Sequence, residues 1–145
     1  MERTMNMENF GLNPTENPGY LLLFRGKEWD EGLSNEQLQE VMGRVMGWFD
    51  GISKSGKVKA GQPLARTGSF VTGKNGRVVA DGPFAESKEV IGGYLLLDVD
   101  SFEEAMLIAK SYPCLEYNIT IEVRPALSEC PVFERARQKL GLAVA

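Results

Sequence analysis

The chain has 145 residues, enough for one domain with a buried core and too few for two ordinary domains. With 43% hydrophobic and 25% charged residues it has the composition of a globular protein, which excludes disordered and collagen-like classes. No apolar run reaches the length that a bilayer requires, and the net charge of −4 argues against a protein devoted to nucleic acid. We therefore expect neither a membrane nor a nucleic acid as its partner.

The first eighteen residues lack the basic start and apolar block of a secretory signal. Cys114 and Cys130 are the only cysteines and show no CxxC or zinc-like spacing, which fits a reducing compartment. We expect a cytoplasmic protein in which both cysteines are packing residues. Its expected parts are a flexible arm at residues 1–18, an α+β domain at residues 19–127 and a helical extension at residues 128–145.

The pentapeptide Gly-Tyr-Leu-Leu-Leu occurs twice, at residues 19–23 and 93–97. Each copy precedes a capping box, Ser-x-x-Gln at residues 34–37 and Ser-x-x-Glu at residues 101–104. In such a box the serine hydroxyl accepts a hydrogen bond from a first-turn N–H, and the longer side chain reaches back to the cap. The repeat therefore predicts a duplicated strand-helix unit.

Apolar residues at helical spacing predict a first helix that runs to about Ser53 and buries one stripe. The stripe consists of Leu38, Val41, Met42, Val45, Met46, Phe49 and Ile52. The second helix should end near Ser111, because Pro113 disfavours helical geometry in the residue before it. It is expected to bury Phe102, Ala105, Met106 and Ala109. A third helix is predicted between Pro131 and Gly141, a favourable start and a natural stop.

The remaining pattern predicts strands. Asn75-Gly76 suits the positive φ angles of a tight hairpin turn, and residues 117–124 alternate apolar with polar side chains as a half-covered last strand does. The two repeated pentapeptides are apolar on both faces and need cover on both. Two helices of a split βαβ unit cover only one face. We therefore expect a ferredoxin-like α+β fold with an antiparallel sheet, and a homodimer in which a second copy covers the other face.

The absence of histidine excludes Ser-His and Cys-His catalysis and histidine-ligated metals, and no loop has a calcium-binding spacing. We expect no metal and no cofactor. Residues 68–75 nearly match the phosphate-binding pattern GxxxxGK[ST], but Asn75 replaces the hydroxyl residue and the segment reads as strand and turn. Residues 51–80 contain six basic residues and no acid, which is typical of a solvated surface. An anionic ligand or partner is the alternative.

The segment with the most chemical potential lies between the hairpin and the second repeat. It contains Asp81, Gly82, Pro83, Phe84, Glu86, Lys88 and Glu89. One interpretation is a local turn in which the Asp81 carboxylate accepts from the Phe84 N–H. The other is a polar site in which carboxylates and an ammonium group bind a ligand or move a proton. In that site Lys88 and Arg124 would hold an anionic group, and Tyr20 and Tyr94 would line the walls.

Asp-Gly-Pro-Phe at residues 81–84, Glu-Ser-Lys-Glu at residues 86–89 and Gly-Gly-Tyr at residues 92–94 together resemble the signature of the DGPF-type YCII-related family. The resemblance spans residues 20–125 and implies a ferredoxin-like fold that forms a dimeric α+β barrel. Most members that resemble this chain have unknown functions, and some are encoded beside or joined to extracytoplasmic-type sigma factors. Related YCII-like proteins are associated with acid–base chemistry by a His-Asp pair, of which this chain could supply only Asp81.

The residues and the resemblance together predict a homodimeric small-molecule-binding domain. Its pocket, with a candidate acid–base function, is expected around the loop that contains Asp81. The alternative prediction is a regulatory or protein-interaction module whose partner is a sigma factor.

Overall fold

The computed structural model describes residues 17–26, 28–83 and 91–141, and of residues 79–83 it describes the backbone alone. Six strands, three α-helices and one 3₁₀ helix occur in these ranges. In chain order they are β1 (Tyr20–Arg25), α1 (Asn35–Lys54), β2 (Val58–Pro63), β3 (Ser69–Lys74), β4 (Arg77–Pro83), β5 (Ile91–Leu97), α2 (Phe102–Lys110), the 3₁₀ helix (Pro113–Tyr117), β6 (Thr120–Pro125) and α3 (Pro131–Leu140).

Four strands form one antiparallel sheet in the order β2-β5-β1-β6, and β3 and β4 form a separate hairpin. The two central strands are the two repeated pentapeptides, and a helix follows each of them. This is the strand order of the split βαβ, ferredoxin-like arrangement, so the predicted fold class is confirmed. The hairpin turn is also confirmed, because Asn75 and Gly76 have φ angles of 49° and 73°.

The core lies between one face of the sheet and the helices. Leu22 of β1 and Leu97 of β5 are completely buried, and they pack with Ile52 of α1 and Ile108 of α2. Each buried leucine of this size contributes about 1.5–3 kcal/mol of hydrophobic free energy relative to an exposed one. A second, smaller cluster joins α1 to the 3₁₀ helix, where Val41 packs against the buried Cys114.

The opposite face of the sheet carries a different set of apolar side chains. Strand residues alternate between faces, so the neighbours of the buried leucines point away from the helices. This second face carries Leu21, Leu23, Tyr94 and Leu96, which are half-buried and belong to neither core cluster. The expectation that helices cover one face of the repeated strands is thus met by the described residues.

Strand β2 was not predicted from the sequence. Its six residues lack a regular apolar alternation, and they contain Gly61 and end at Pro63. These residues weaken the strand signal but are acceptable in an edge strand that pairs on one side only. Strand β6 also begins later than the predicted residue 117, because the chain there is a 3₁₀ helix followed by Asn118 in the left-handed region at φ 64°.

The helices begin and end close to the predicted residues, but their buried faces are narrower. In α1 the buried residues are Val41, Val45 and Ile52, whereas Met46 is 69% exposed. In α2 Phe102 is 42% exposed, so its predicted burial is wrong. Helix α3 starts at Pro131 and ends before Gly141 at φ 65°, as predicted, although it contains no buried residue. None of the described helices is long and apolar enough to cross a membrane.

Candidate functional site

A cavity of about 600 Å³ opens between the sheet and α1, at the end of the sheet where β1 leaves and β5 enters. Sites for small molecules usually measure about 300–1,000 Å³, so its size fits a metabolite. Strand β1, strand β2, the first half of β5 and the loop after β1 all contribute to the lining, together with Phe49, Tyr112 and Ile119.

Aromatic rings form the apolar wall of this cavity. Four rings form a continuous series of edge-to-face contacts from the sheet to α1, with neighbouring ring centroids 5.0–5.1 Å apart. In order they are Phe24, Tyr112, Trp48 and Phe49. All of them except Trp48 line the cavity. Trp29 adds a further ring from the loop after β1, and it is held by stacking on Tyr117 at 5.4 Å. Such mutual contacts fix ring positions before any ligand arrives.

The rim of the cavity is charged. The Arg66 Nε atom lies 3.8 Å from Glu28 Oε1, a distance that permits Coulomb attraction but no hydrogen bond. Within the described ranges Arg66 Nε is buried and has no hydrogen-bond acceptor. Glu28 also forms a side-chain hydrogen bond with Glu31. This bond, together with the repulsion between the two carboxyl groups, raises the pKa of Glu31. Glu28 is therefore shared between two neighbours and leaves the Arg66 donor unsatisfied.

Glycines bring the strands close together at the floor of the cavity. A Cβ atom on Gly93 would lie 3.1 Å from the Gln62 carbonyl oxygen, and one on Gly61 would lie 2.5 Å from the Leu95 side chain. Neither position has room for a side chain without movement of its neighbours. The floor of the cavity is thus formed by closely packed strands whose backbone faces the space.

Tyr112 is the lining residue whose ionisation is clearly altered. Burial, aided by the neighbouring Cys114 thiol, raises the pKa of Tyr112 well above its ordinary value. The phenol therefore stays neutral at physiological pH and can donate a hydrogen bond but cannot act as a base. Tyr112 is thus suited to donating a hydrogen bond to a ligand rather than to removing a proton from it.

The site residues predicted from the sequence are distributed as follows. Tyr94 borders the cavity, as do Gly92 and Gly93 of the same signature, although the Tyr94 side chain lies on the other face of the sheet. Tyr20 lies elsewhere and packs near the Phe102 ring at 6.3 Å, and Arg124 is an exposed partner of Glu122 at 3.7 Å. The backbones of Asp81, Gly82 and Pro83 belong to β4, and nothing is described of their side chains. Phe84, Glu86, Lys88 and Glu89 lie outside the described residues.

Most of the lining was not predicted as a site. The sequence pattern places Phe49 in the core stripe of α1 and Arg66 in the acid-free basic segment, for which an anionic ligand is the alternative interpretation. Trp29 carries the clearest missed signal, because a large aromatic residue between Glu28 and Asp30 in a charged loop is uncommon. Among the described residues no cluster of three or more carboxylates or thiols could hold a metal ion.

Fold and cavity define this protein as a split βαβ domain with a small-molecule-sized space between its sheet and first helix. The family model of the YCII-related domain matches residues 19–126. The chain belongs to the YCII-related family, as its signature residues suggested.

Comparison with individual proteins gives little more. No curated protein matches the chain. A solved structure of 5-chloro-2-hydroxyhydroquinone dehydrochlorinase from Burkholderia phenoliruptrix AC1100, in complex with 2,5-dihydroxybenzoquinone, is similar at 16% sequence identity and a TM-score of 0.40. The match covers 72% of this chain and 90% of that one. This likeness is too distant to assign a ligand to the present chain, and the sigma-factor association stays a prediction from the resemblance.

Proposed function

We propose that this protein is a homodimeric small-molecule-binding domain whose ligand occupies the cavity between the sheet and α1. The carrying observation is the lining itself, which combines fixed aromatic rings with Arg66, whose shielded Nε atom has no acceptor among the described residues. An apolar wall with a few polar groups that fix orientation is the usual form of a ligand site. A ligand oxygen could accept a hydrogen bond from this Nε atom, from which no described residue accepts one.

A metabolite collection screened against the full chain by ligand-induced thermal shift and by NMR tests this proposal. The matched variants are Phe49→Ala and Met46→Ala, which both truncate an apolar residue of α1. Phe49 lines the cavity and Met46 does not. We expect ligands that stabilise the wild type and Met46→Ala but lose most of their effect on Phe49→Ala. If no compound shows this difference, the cavity is not the binding site.

Asp81 enters the proposal as the polar anchor or proton acceptor, on the strength of the family signature. Lys88, Glu86 and Glu89 follow it in the same signature and are proposed as further polar contacts. The Asp81→Asn variant keeps the size of the side chain and removes its charge, and Asp98→Asn, at an exposed position after β5, is its control. Ligands that stabilise wild type and Asp81→Asn equally would remove Asp81 from the site.

The proposed second copy of the chain is supported by the apolar second face of the sheet. Leu21 and Leu96 are register partners there, on the face away from the helices. Covering such a face removes apolar area from water at about 25 cal/mol per Å². Light scattering should give the mass of a dimer for the wild type and of a monomer for Leu96→Lys. Leu107→Lys, on the exposed side of α2, should remain a dimer, and a monomeric wild type would contradict the assembly.

A further inference from the structure

The rim and walls of the cavity restrict the chemistry of its ligand. We propose that the cavity binds a planar aromatic anion, and that Arg66 binds its negatively charged oxygen. This inference rests on the proposed function and deepens it by naming the ligand class and a specificity-determining residue. It is carried by the rings around the space and by Arg66 Nε at its rim, for which the described residues supply no acceptor.

The walls favour a flat ring. Phe24, Tyr112 and Phe49 are held in edge-to-face contacts, and Trp29 is stacked on Tyr117, so their orientations are largely set in advance. Aromatic surfaces fixed in this way offer faces and edges to another ring, and the association of two rings is worth more than the buried area alone. A flexible aliphatic chain would lose more conformational entropy in the same space.

The donor at the rim requires an acceptor. Buried N–H groups are almost always hydrogen-bonded, and an unsatisfied one indicates a missing acceptor such as a water or a ligand oxygen. Among the described residues Glu28 is paired with Arg66 Nε at 3.8 Å, a distance too long for a hydrogen bond. A carboxylate or phenolate oxygen would satisfy this donor with a charge-assisted hydrogen bond, the strong kind that guanidinium groups form with planar anions.

The acidic residues at the rim do not reverse this preference. Glu28, Asp30 and Glu31 are exposed to solvent, so their effect on a ligand inside the cavity is screened by water and salt. The Arg66 Nε atom itself is shielded from solvent, although the Arg66 side chain as a whole is 39% exposed. Glu28 instead acts as an internal competitor, because its carboxylate is the group that a ligand anion would displace from Arg66.

Three probes that share a naphthalene ring system and differ in charge test the inference on the full chain. They are 2-naphthoate, 2-naphthamide and 2-naphthylmethylammonium, and their affinities are measured by NMR titration. We expect naphthoate to bind roughly tenfold more tightly than naphthamide, the effect of one charge-assisted hydrogen bond. The ammonium probe should bind most weakly. If it binds best, or if charge makes no difference, the inference is overturned.

Substitution of Arg66 separates recognition from packing. Arg66→Gln should lower the affinity for naphthoate to that for naphthamide and leave the affinity for naphthamide unchanged. Arg77→Gln makes the same change of charge on the exposed hairpin and should alter neither affinity. An equal loss for both probes in Arg66→Gln would mean that Arg66 only supports the fold of the site, which contradicts the proposal.

Glu28→Gln keeps the inference testable even if Arg66→Gln fails to fold. Removing the competing carboxylate should strengthen naphthoate binding roughly threefold, the scale of a solvent-exposed ion pair, without changing naphthamide binding. Unchanged or weaker naphthoate binding would contradict the inference.

The inference and the proposed function fail in distinguishable ways. If the metabolite collection yields ligands that are lost in Phe49→Ala but none is an aromatic anion, the proposed function stands and this inference falls.

Discussion

Ser34 and Gln37 cap α1 by a reciprocal pair of hydrogen bonds. The Gln37 N–H donates to Ser34 Oγ over 3.1 Å, and the Ser34 N–H donates to Gln37 Oε1 over 2.9 Å. Each bond satisfies a backbone N–H that the helix itself leaves without a partner. Helix α1 contributes Phe49 to the lining of the cavity.

Loss of this cap should destabilise the protein measurably. We expect Ser34→Ala to lower the free energy of unfolding by about 1 kcal/mol, measured by urea denaturation. Ser53→Ala replaces another serine of α1, near its end, and should have little effect. Equal stabilities of the two variants would show that water satisfies the first-turn N–H groups of α1 as well as Ser34 does.

Two adjacent glycines of the family signature should respond differently to alanine. A Cβ atom on Gly93 would meet the Gln62 carbonyl oxygen at 3.1 Å, whereas on Gly92 the nearest atom would be 3.9 Å away. We expect Gly93→Ala to cost about 1–3 kcal/mol, as overpacking does, and Gly92→Ala to stay within about 0.5 kcal/mol of wild type. Thermal unfolding compares the two. A greater loss for Gly92→Ala would contradict the close approach of β2 and β5.

The Arg44–Glu116 pair makes stability depend on pH. A hydrogen bond from Arg44, 3.1 Å long, lowers the pKa of Glu116 below its ordinary value of 4.5. Ionised Glu116 therefore stabilises the fold above about pH 4.5, and this contribution is lost as the pH falls through the lowered pKa.

We expect the wild type to be more stable than Arg44→Gln at neutral pH, and the difference to shrink in acid. Urea denaturation across this range measures the difference, and a carbon NMR titration of the Glu116 carboxyl measures its pKa directly. The Arg77→Gln variant should show no such trend. A Glu116 pKa that is the same in wild type and Arg44→Gln would rule out the pair as its cause.

The two cysteines should differ in reactivity. Cys114 is completely buried, and burial is the main reason why the pKa of its thiol is raised, whereas Cys130 is partly exposed. Because the thiolate is the reactive form, native Cys130→Ser should react slowly with Ellman's reagent and native Cys114→Ala should react quickly. Both should react at the same rate in urea. Rapid reaction of Cys114 in the native state would show that its helix opens readily.

Features set by local chemistry were predictable from the sequence. The capping serines, the Asn75-Gly76 turn and Pro131 each act through a few neighbouring atoms, and each lies where the sequence placed it. Strand β2 has no such local signal, because its pairing with β5 depends on the neighbour and not on its own pattern.

The candidate site was predicted only in part. The glycines at residues 92 and 93 lie at the cavity, but the contributions of Trp29 and Arg66 depend on where two distant loops meet. Such a meeting is a property of the tertiary structure, and no spacing along the chain encodes it. The chemical type of Arg66 was nevertheless informative, since an anionic ligand was the alternative interpretation of the acid-free segment that contains it.

The two identical pentapeptides pair with each other in an antiparallel register that is offset by one residue from the symmetric one. Leu22, the fourth residue of the first copy, is the register partner of Leu95, the third residue of the second, and both are buried. Both faces of each copy are apolar, so hydrophobicity alone would tolerate a slip of one residue. The observed register requires glycine at residue 19, which has a φ of 85° and where a Cβ atom would collide with the Leu97 carbonyl oxygen. A side chain at residue 19 would therefore disturb the pairing that places Leu22 and Leu95 against the helices.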